Sequence, residues 1–561
     1  MTQTLSCAAL DTVLAYHERT KHHVGRYAAS LGHMDWDTQP DPFRSYSGAR
    51  VLLLDEVPPT TRPEYEAAFR PEATRPHPVD RASVSQLFYD CLALSAWKEF
   101  GTSRWSLRVN PSSGALHPTE GYLLAGPIAG LSDAPAFHHY SPLRHALEIR
   151  ATLSERDWSD LTGELPTGAL LVGLTTIHWR ESWKYGERAF RYCHHDVGHA
   201  IAAIAMAASV LGWQTRLLAG WSDAQLAILL GVAAQTGTEA EHPDCLMVIH
   251  PAGGDPSSAD GRAAGPASDL MRRLASLPMA GEPNRLSSAH HDWPVIDEVF
   301  EASALVEAPL VPSWSADGED SPFPLLSRGI PARQIIRQRR SAVSMDGHTS
   351  LSREAFNRML EKLVVRAGLV PFATFPWRPA IHLLLFVHRV NDLDAGLYCL
   401  VRHPDALRDL KASMKSEFEW LTPQGCPNDL PLYLLRAGDF RGVARSVSCD
   451  QDIAADGAFA VAMVAEFEPS LRAHGPWFYK RLHWEAGAIG QVLYLEAEAA
   501  GIRSTGIGCF FDDDLHGAAG IATRRHQDLY HFTVGGAVDD PRLKTLPAYA
   551  TRTTSSENAG P

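Results

Sequence analysis

The stretch KYGERAFRYCHHDVGHA (184–200) decides how the chain is read. It sets three histidines and three aromatic residues among lysine and arginine side chains, and it admits three readings: a metal site, a catalytic strand-to-helix junction, or the start of a crowded helix. Helical periodicity carries it onward. Phe190, Cys193, Val197, Ile201, Ile204, Ala208 and Leu211 recur three and four apart as one apolar stripe, and Gly212 supplies the stop.

Adding 289 to each position yields Tyr479, Leu482, Ala486, Gly490, Leu493, Ala497 and Ala500, a second stripe closed by Gly501. Arg191 and Lys480, Asp196 and Glu485, Gly198 and Gly487, Asp223 and Asp512, and Gly231 and Gly520 obey the same shift without a gap. So many paired positions in one ungapped block of about 45 residues mark two diverged copies of one domain.

Size and composition agree. A chain of 561 residues with 45% hydrophobic and 21% charged content builds two or more ordinary globular domains. The net charge of −14 and the absence of a basic tract give no reason to expect nucleic acid or an anionic membrane as partner. The opening MTQTLSCAAL has no basic n-region, and no apolar run reaches the roughly 18 residues of a membrane span, so neither a secretory signal nor a span is expected. The eight cysteines (7, 91, 193, 245, 399, 426, 449 and 509) form no CxxC motif and suit a reducing, cytoplasmic compartment.

Each copy reads as helix, strand, long helix, strand: in the first 84–97, 121–126, 187–211 and 245–251, with a buried strand at 169–177 before the long helix. The second offers 353–368, 382–390, 481–500 and 529–536. The expected class is α+β, helices on a mixed sheet. Residues 1–260 form the first domain, 261–325 a linker and wrapping segment of irregular structure, 326–548 the second domain, and 549–561 a disordered tail.

Three further segments could carry chemistry. In RVNPSSGALHPTEGYLL (108–124), Pro111, Ser112, Ser113 and Gly114 make a polar turn whose hydroxyls and backbone N–H groups suit an anionic or heteroaromatic ligand. In IIRQRRSAVSMDG (335–347), Arg339, Arg340 and Ser341 could clamp a phosphate. In STGIGCFFDDD (504–514), Gly506, Ile507 and Gly508 would let backbone pass close to a flat ring. Taken singly, each also reads as an ordinary turn or solvated face. His195 and His199 stand at ligand spacing, but no third ligand is suggested and their counterparts are Trp484 and Ala488, so packing roles are expected.

These segments resemble the nitroreductase superfamily of FMN-dependent oxidoreductases, in the tandem-domain form of the SagB-type azoline dehydrogenases. TKHHVGRYAASLGHMDWDTQPDPF (20–43) and RVNPSSGALHPTEGYL are similar to that tandem form, and GQVLYLEAEAAGIRSTGIGCFFD (490–512) resembles the superfamily's late helix and flavin-facing loop. The resemblance implies FMN at the interface of an intramolecular pseudo-dimer, between the Arg-Ser segment of one copy and the Ser-Ser loop of the other. The Arg-Arg-Ser element occurs only in copy two and the Pro-Ser-Ser-Gly element only in copy one, where HPVDRASVSQ and FPWRPAIHL hold the alternative positions. One complete FMN site and one decayed site are therefore expected.

Lys184-Tyr185 falls where azoline dehydrogenases carry a catalytic Lys-Tyr pair, so the opening stretch is read as a strand-to-helix junction bearing an acid–base pair: a lysine held partly neutral by desolvation, or a tyrosine helped by that lysine, takes the proton, or the lysine instead stabilises the reduced flavin. The implied activity dehydrogenates azoline-like rings of a modified peptide or small molecule, with biosynthetic partner enzymes. An NAD(P)H-dependent nitro- or quinone-type reductase and a flavin-free scaffold remain the alternatives.

Overall fold

Two helices of equal length, Ala189–Val210 and Phe478–Ala499, pack against each other at the centre of the molecule. Their bounds differ by 289 residues at both ends, the shift read from the sequence. The computed structural model describes residues 2–57, 60–253, 266–307 and 328–549, with side chains from residue 7 onward. The disordered tail expected at 549–561 lies outside these residues except for its first, and so do 261–265 and 308–325 of the expected linker.

Each helix belongs to a half built on one antiparallel sheet. Numbered along the chain, the strands Thr119–Ala125, Ala136–Ser141, Ala146–Thr152, Leu170–Thr176, Trp213–Leu217 and His242–Pro251 lie in the order 3-2-1-4-6-5. Ile381–Val387, Gly396–Leu400, Leu432–Ala437, Phe459–Glu466, Arg503–Ile507 and His526–Gly535 repeat that order. The first sheet adds one edge strand, Arg50–Leu53. Where a mixed sheet was expected, every named ladder is antiparallel, and parallel pairing is confined to isolated bridges such as Ser341 with Ser504.

The central strands are buried on both faces because each sheet separates two apolar layers. Alternate residues go to opposite sides. Leu170, Val172 and Leu174 face the common core, and Leu171 faces an outer cluster. In the second half Leu383 and Leu385 point inward, and Leu384 and Phe386 outward.

The long helices are buried on all sides, not only along the expected stripe. Each lies between its own sheet and its partner helix, so His194, His195, Asp196 and His199 are interior groups. The helices touch at Gly198 and Gly487. A Cβ on Gly198 would overlap the Trp484 carbonyl, and one on Gly487 the His195 carbonyl. Ion pairs repeat across this contact: Arg191 Nη1 lies 2.7 Å from Asp512 Oδ1, and Lys480 Nζ 2.6 Å from Asp223 Oδ2. Burial alone would raise Asp512, but Arg188 and Arg191 hold its carboxyl far below the usual range.

The chain ends cross between halves. Tyr16 and His17 of the helix Thr2–Arg19 pack on Tyr479, and Lys544–Leu546 adds a strand to the hairpin Leu94–Phe100 and Ser103–Arg108. That hairpin corrects the expected helix over 84–97: the helix Arg81–Cys91 stops, and Leu94 and Ala96 alternate as buried strand residues. The expected helix over 353–368 ends at Glu361 (Arg353–Glu361). Pro294–Ala302 is a proline-started helix inside the segment expected to be irregular.

Gly198→Ala or Gly487→Ala should force the helices apart and lower stability by about 1–3 kcal/mol or more. Gly517→Ala, in the helix Asp512–Ala519 where a Cβ meets nothing within 4 Å, should instead stabilise by about 0.5–1 kcal/mol. Urea denaturation of the three variants checks the contrast, and equal midpoints would contradict the close crossing.

Candidate functional site

The Pro-Ser-Ser-Gly loop is held in a conformation that extended chain does not adopt by itself. Gly114, Ala115 and His117 have φ of 62°, 57° and 52°, in the left-handed region. Two buried carboxyl groups position the turn. Asp196 Oδ1 accepts the Ser113 N–H at 3.2 Å, and Ser112 Oγ donates to Glu181 Oε1 at 3.4 Å while accepting the His117 N–H at 2.8 Å. Asp196 stands on the first long helix and Glu181 on the short helix His178–Tyr185.

That short helix corrects the reading of the opening stretch. The junction joins helix to helix: HWRESWKY coils, Gly186 breaks it at φ 55°, and a 3₁₀ turn leads into Ala189. Lys184 and Tyr185 are its last residues and back onto the loop. A Cβ on Gly114 would stand 2.7 Å from Tyr185 Oη and 3.0 Å from Lys184 Nζ. Against the expectation of a desolvated lysine, Lys184 is exposed. Burial acts on its neighbour: the half-buried Tyr185 phenol is pushed up by burial and then by the Glu181 charge.

The opposite wall comes from the second half. Arg339 Nη2 donates to the carbonyls of Arg108 (3.3 Å) and Val109 (3.2 Å), so it grips the strand leading into the loop. Arg340 Nη2 donates to Ser95 O at 3.0 Å. Ser341 Oγ lies 2.9 Å from Tyr494 Oη, which accepts the Gly506 N–H at 3.1 Å. Pro111, Ser112, Arg339, Arg340 and Ser341 thus line one cavity of about 630 Å³. Five cations border it, Lys98, Arg108, Arg339, Arg340 and Arg503, against the two carboxylates Asp539 and Asp540. Burial lowers Arg339; burial and then repulsion from Arg339 and Arg337 bring Arg340 down to about 10. Buried guanidiniums that repel one another fit an anionic ligand such as a phosphate.

The third segment continues the wall. A Cβ on Gly506 would overlap the Tyr530 hydroxyl, and one on Gly508 would come within 2.5 Å of Tyr192 Cε1. Tyr192 Oη donates to Gly508 O at 2.9 Å and its ring meets Tyr185 edge-on, 4.7 Å between centroids. Ile507 differs: its side chain turns into the outer core with Leu515, so only its backbone faces this way.

Sequence reasoning missed Glu181, Tyr192, Tyr494 and Tyr530, which touch the expected residues from helices and strands without any motif. Burial raises both Glu181 and Asp196, and the Asp196 charge raises Glu181 further. Glu181 Oε2, Asp196 Oδ2 and both His195 ring nitrogens find no hydrogen-bond partner among the described residues. His195 stacks on Tyr530 at 4.2 Å, and His199 bonds Gln491 and Tyr530.

Across the pseudo-twofold the cavity is smaller, about 170 Å³, with Gln214 and His250 in the places of Arg503 and Asp539, and the equivalent of the Tyr192–His195 wall is filled. There Trp484 takes the position of His195, and Arg481 that of Tyr192, each 289 residues on. The Arg481 guanidinium stacks 4.1 Å from the Trp477 ring and 5.1 Å from Trp377. The space left among them is about 20 Å³.

Residues 399–536 match the family model described as "Nitroreductase family". A nitroreductase-like protein of Methanocaldococcus jannaschii is 25% identical over 154 residues, covering 26% of this chain and 72% of that protein. The crystal structure of a nitroreductase-like protein from Anabaena variabilis superposes with a TM-score of 0.66 at 20% identity, covering 94% of this chain and 99% of the other, which establishes the fold along nearly the whole length. The repeated strand order and the central helix pair agree with these matches: the second half carries the nitroreductase family match, and the chain has the nitroreductase fold as two halves in one polypeptide.

Proposed function

We propose that the protein binds one FMN between its halves and dehydrogenates azoline-like rings, the aromatisation that removes one hydride and one proton. The observation that carries the cofactor reading is the cation-lined cavity of about 630 Å³ shared by the two halves; the cavity across the pseudo-twofold, where Gln214 and His250 stand for Arg503 and Asp539, is about 170 Å³. Arg339, Arg340 and Ser341 would hold the phosphate with Pro111, Ser112 and Ser113 opposite, and Gly114, Gly506, Ile507 and Gly508 would offer backbone to the ring. Bound FMN supplies a two-electron acceptor for the hydride.

The chain's own residues handle the proton. Tyr185 Oη and Lys184 Nζ both stand against Gly114, with Lys184 Nζ 5.2 Å from the centre of the Tyr185 ring. In this reading the Tyr185 phenol first gives its proton to solvent, the Lys184 ammonium stabilises the resulting phenolate, and the phenolate then accepts the ring proton and becomes the phenol again. Glu181 and Asp196 hold the Ser112–Ser113 turn in register with them.

The purified protein, reconstituted with FMN, should retain about one flavin per chain by its visible spectrum and by chromatography of the released chromophore. Two per chain would overturn the single site, and none would return the scaffold reading. Turnover of nitroaromatics or quinones with NAD(P)H, without activity on thiazoline or oxazoline peptides, would replace the substrate assignment.

Arg340→Ala should weaken FMN retention about 10–100-fold, the worth of one charged hydrogen bond. Tyr185→Phe should keep the flavin and lower turnover about 10²–10⁴-fold; unchanged turnover would remove Tyr185 from the chemistry. Asp196→Ala leaves the Ser113 N–H without its acceptor and should cost about 1–3 kcal/mol in urea denaturation, whereas Asp196→Asn keeps an acceptor and should cost under about 1 kcal/mol.

A further inference from the structure

Two thiols lie next to this site, and the proposed chemistry uses neither. Cys509 follows Gly508 directly, and Cys449 comes from the loop after the helix Arg441–Val447. The two segments are tied together on both sides of the pair. The Phe511 N–H donates to Val447 O at 2.8 Å, and Gln451 Nε2 donates to Cys509 O at 3.0 Å. Cys449 stands midway between these anchors, and the two thiols act on each other, which pushes Cys449 up and Cys509 down.

The backbone at Cys449 is unusual. Cys449 and Asp450 have φ of 54° and 56°, consecutive left-handed residues that both carry side chains. Such a conformation is costly without glycine and persists only where the surroundings impose it.

Charge and access complete the arrangement. The Arg188 guanidinium donates to Gly508 O at 3.4 Å and lies 4.5 Å over the Phe510 ring, so it contacts both chain neighbours of Cys509. A guanidinium beside a thiol favours the thiolate, the nucleophilic form. The nearby Asp512 carboxylate is taken up by Arg188 and Arg191. Both cysteines are half-exposed, whereas Cys91, Cys193, Cys245 and Cys399 are buried.

We infer that Cys509 and Cys449 form a thiol–disulfide exchange site for low-molecular-weight disulfides. The Cys509 thiolate attacks one sulfur of a disulfide RSSR, forming the mixed disulfide Cys509–S–SR and releasing RS⁻. Cys449 then loses its proton and attacks Cys509 Sγ, closing the Cys449–Cys509 disulfide and releasing the second RS⁻. The two thiol protons end on two RSH; the protein dithiol is oxidised by two electrons and the small disulfide is reduced by two. This inference is independent of the flavin reading.

The test exposes the reduced full-length protein to oxidised glutathione, measures the glutathione released and maps the disulfides by mass spectrometry. The expected result is two equivalents of reduced glutathione per chain and a cross-linked pair of peptides containing Cys449 and Cys509. Cys449→Ser should release one equivalent and trap glutathione on Cys509, and Cys509→Ser should react at position 449 at least about tenfold more slowly. A stable Cys509 adduct in the unmodified protein would show that Cys449 does not resolve it and would overturn the inference. Reaction confined to Cys7 or Cys426 would overturn it equally, and because both of these results come from the unaltered chain, neither depends on a variant folding.

Discussion

At Gly198 and Gly487 two helical backbones meet with no side chain between them, and the carbonyls of Trp484 and His195 fill the room a methyl group would need. That approach sets the distance between the halves. Tyr192 on one helix reaches Gly508 of the other half, and His195 stacks on Tyr530, only because the helices are this close. The Arg191–Asp512 and Lys480–Asp223 pairs fix the rotation about the same point. Both pairs are buried, so losing one partner would strand a charge in the interior, at a cost of about 3–5 kcal/mol.

One scaffold therefore offers two equivalent places, and side chains decide what each becomes. On one side Ser112, Ala115, Ser341 and Ala342 border a space of about 630 Å³ ringed by cations. On the other, the corresponding cavity is about 170 Å³, and Trp377, Trp477 and Trp484 pack the neighbouring wall. The anchoring chemistry survives on both sides. Asp196 accepts the Ser113 N–H, and its counterpart Glu485 accepts the N–H groups of Ala380 and Ile381. The loop anchor belongs to the fold, and the open space belongs to the site.

The repeat was legible because glycine and charge keep their positions where backbone geometry or a buried ion pair demands them. Gly212 and Gly501, and Gly231 and Gly520, all adopt left-handed φ at equivalent helix ends. The three site segments were legible as motifs, and the fold brings them to one interface. Glu181, Tyr192, Tyr494 and Tyr530 were not, because each sits in a regular helix or strand whose pattern reports burial and says nothing of which partner it faces. The hairpin after Cys91 was hidden for a related reason. LALSAW continues an apolar pattern that suits either period, and only pairing with Ser103–Arg108 and Lys544–Leu546 selects the strand. Lys184 was misjudged on environment: its place in the sequence was informative, its exposure was not.

Joining the halves on one chain also changes what a single substitution can do. In a symmetric dimer, a tryptophan at the position of His195 would appear in both sites at once and leave none open. Here Trp484 occupies that position in one half only, and in the other His195 stays stacked on Tyr530. Each position is altered once per molecule, so one half can give up ligand space for packing while the other keeps the space that packing would remove.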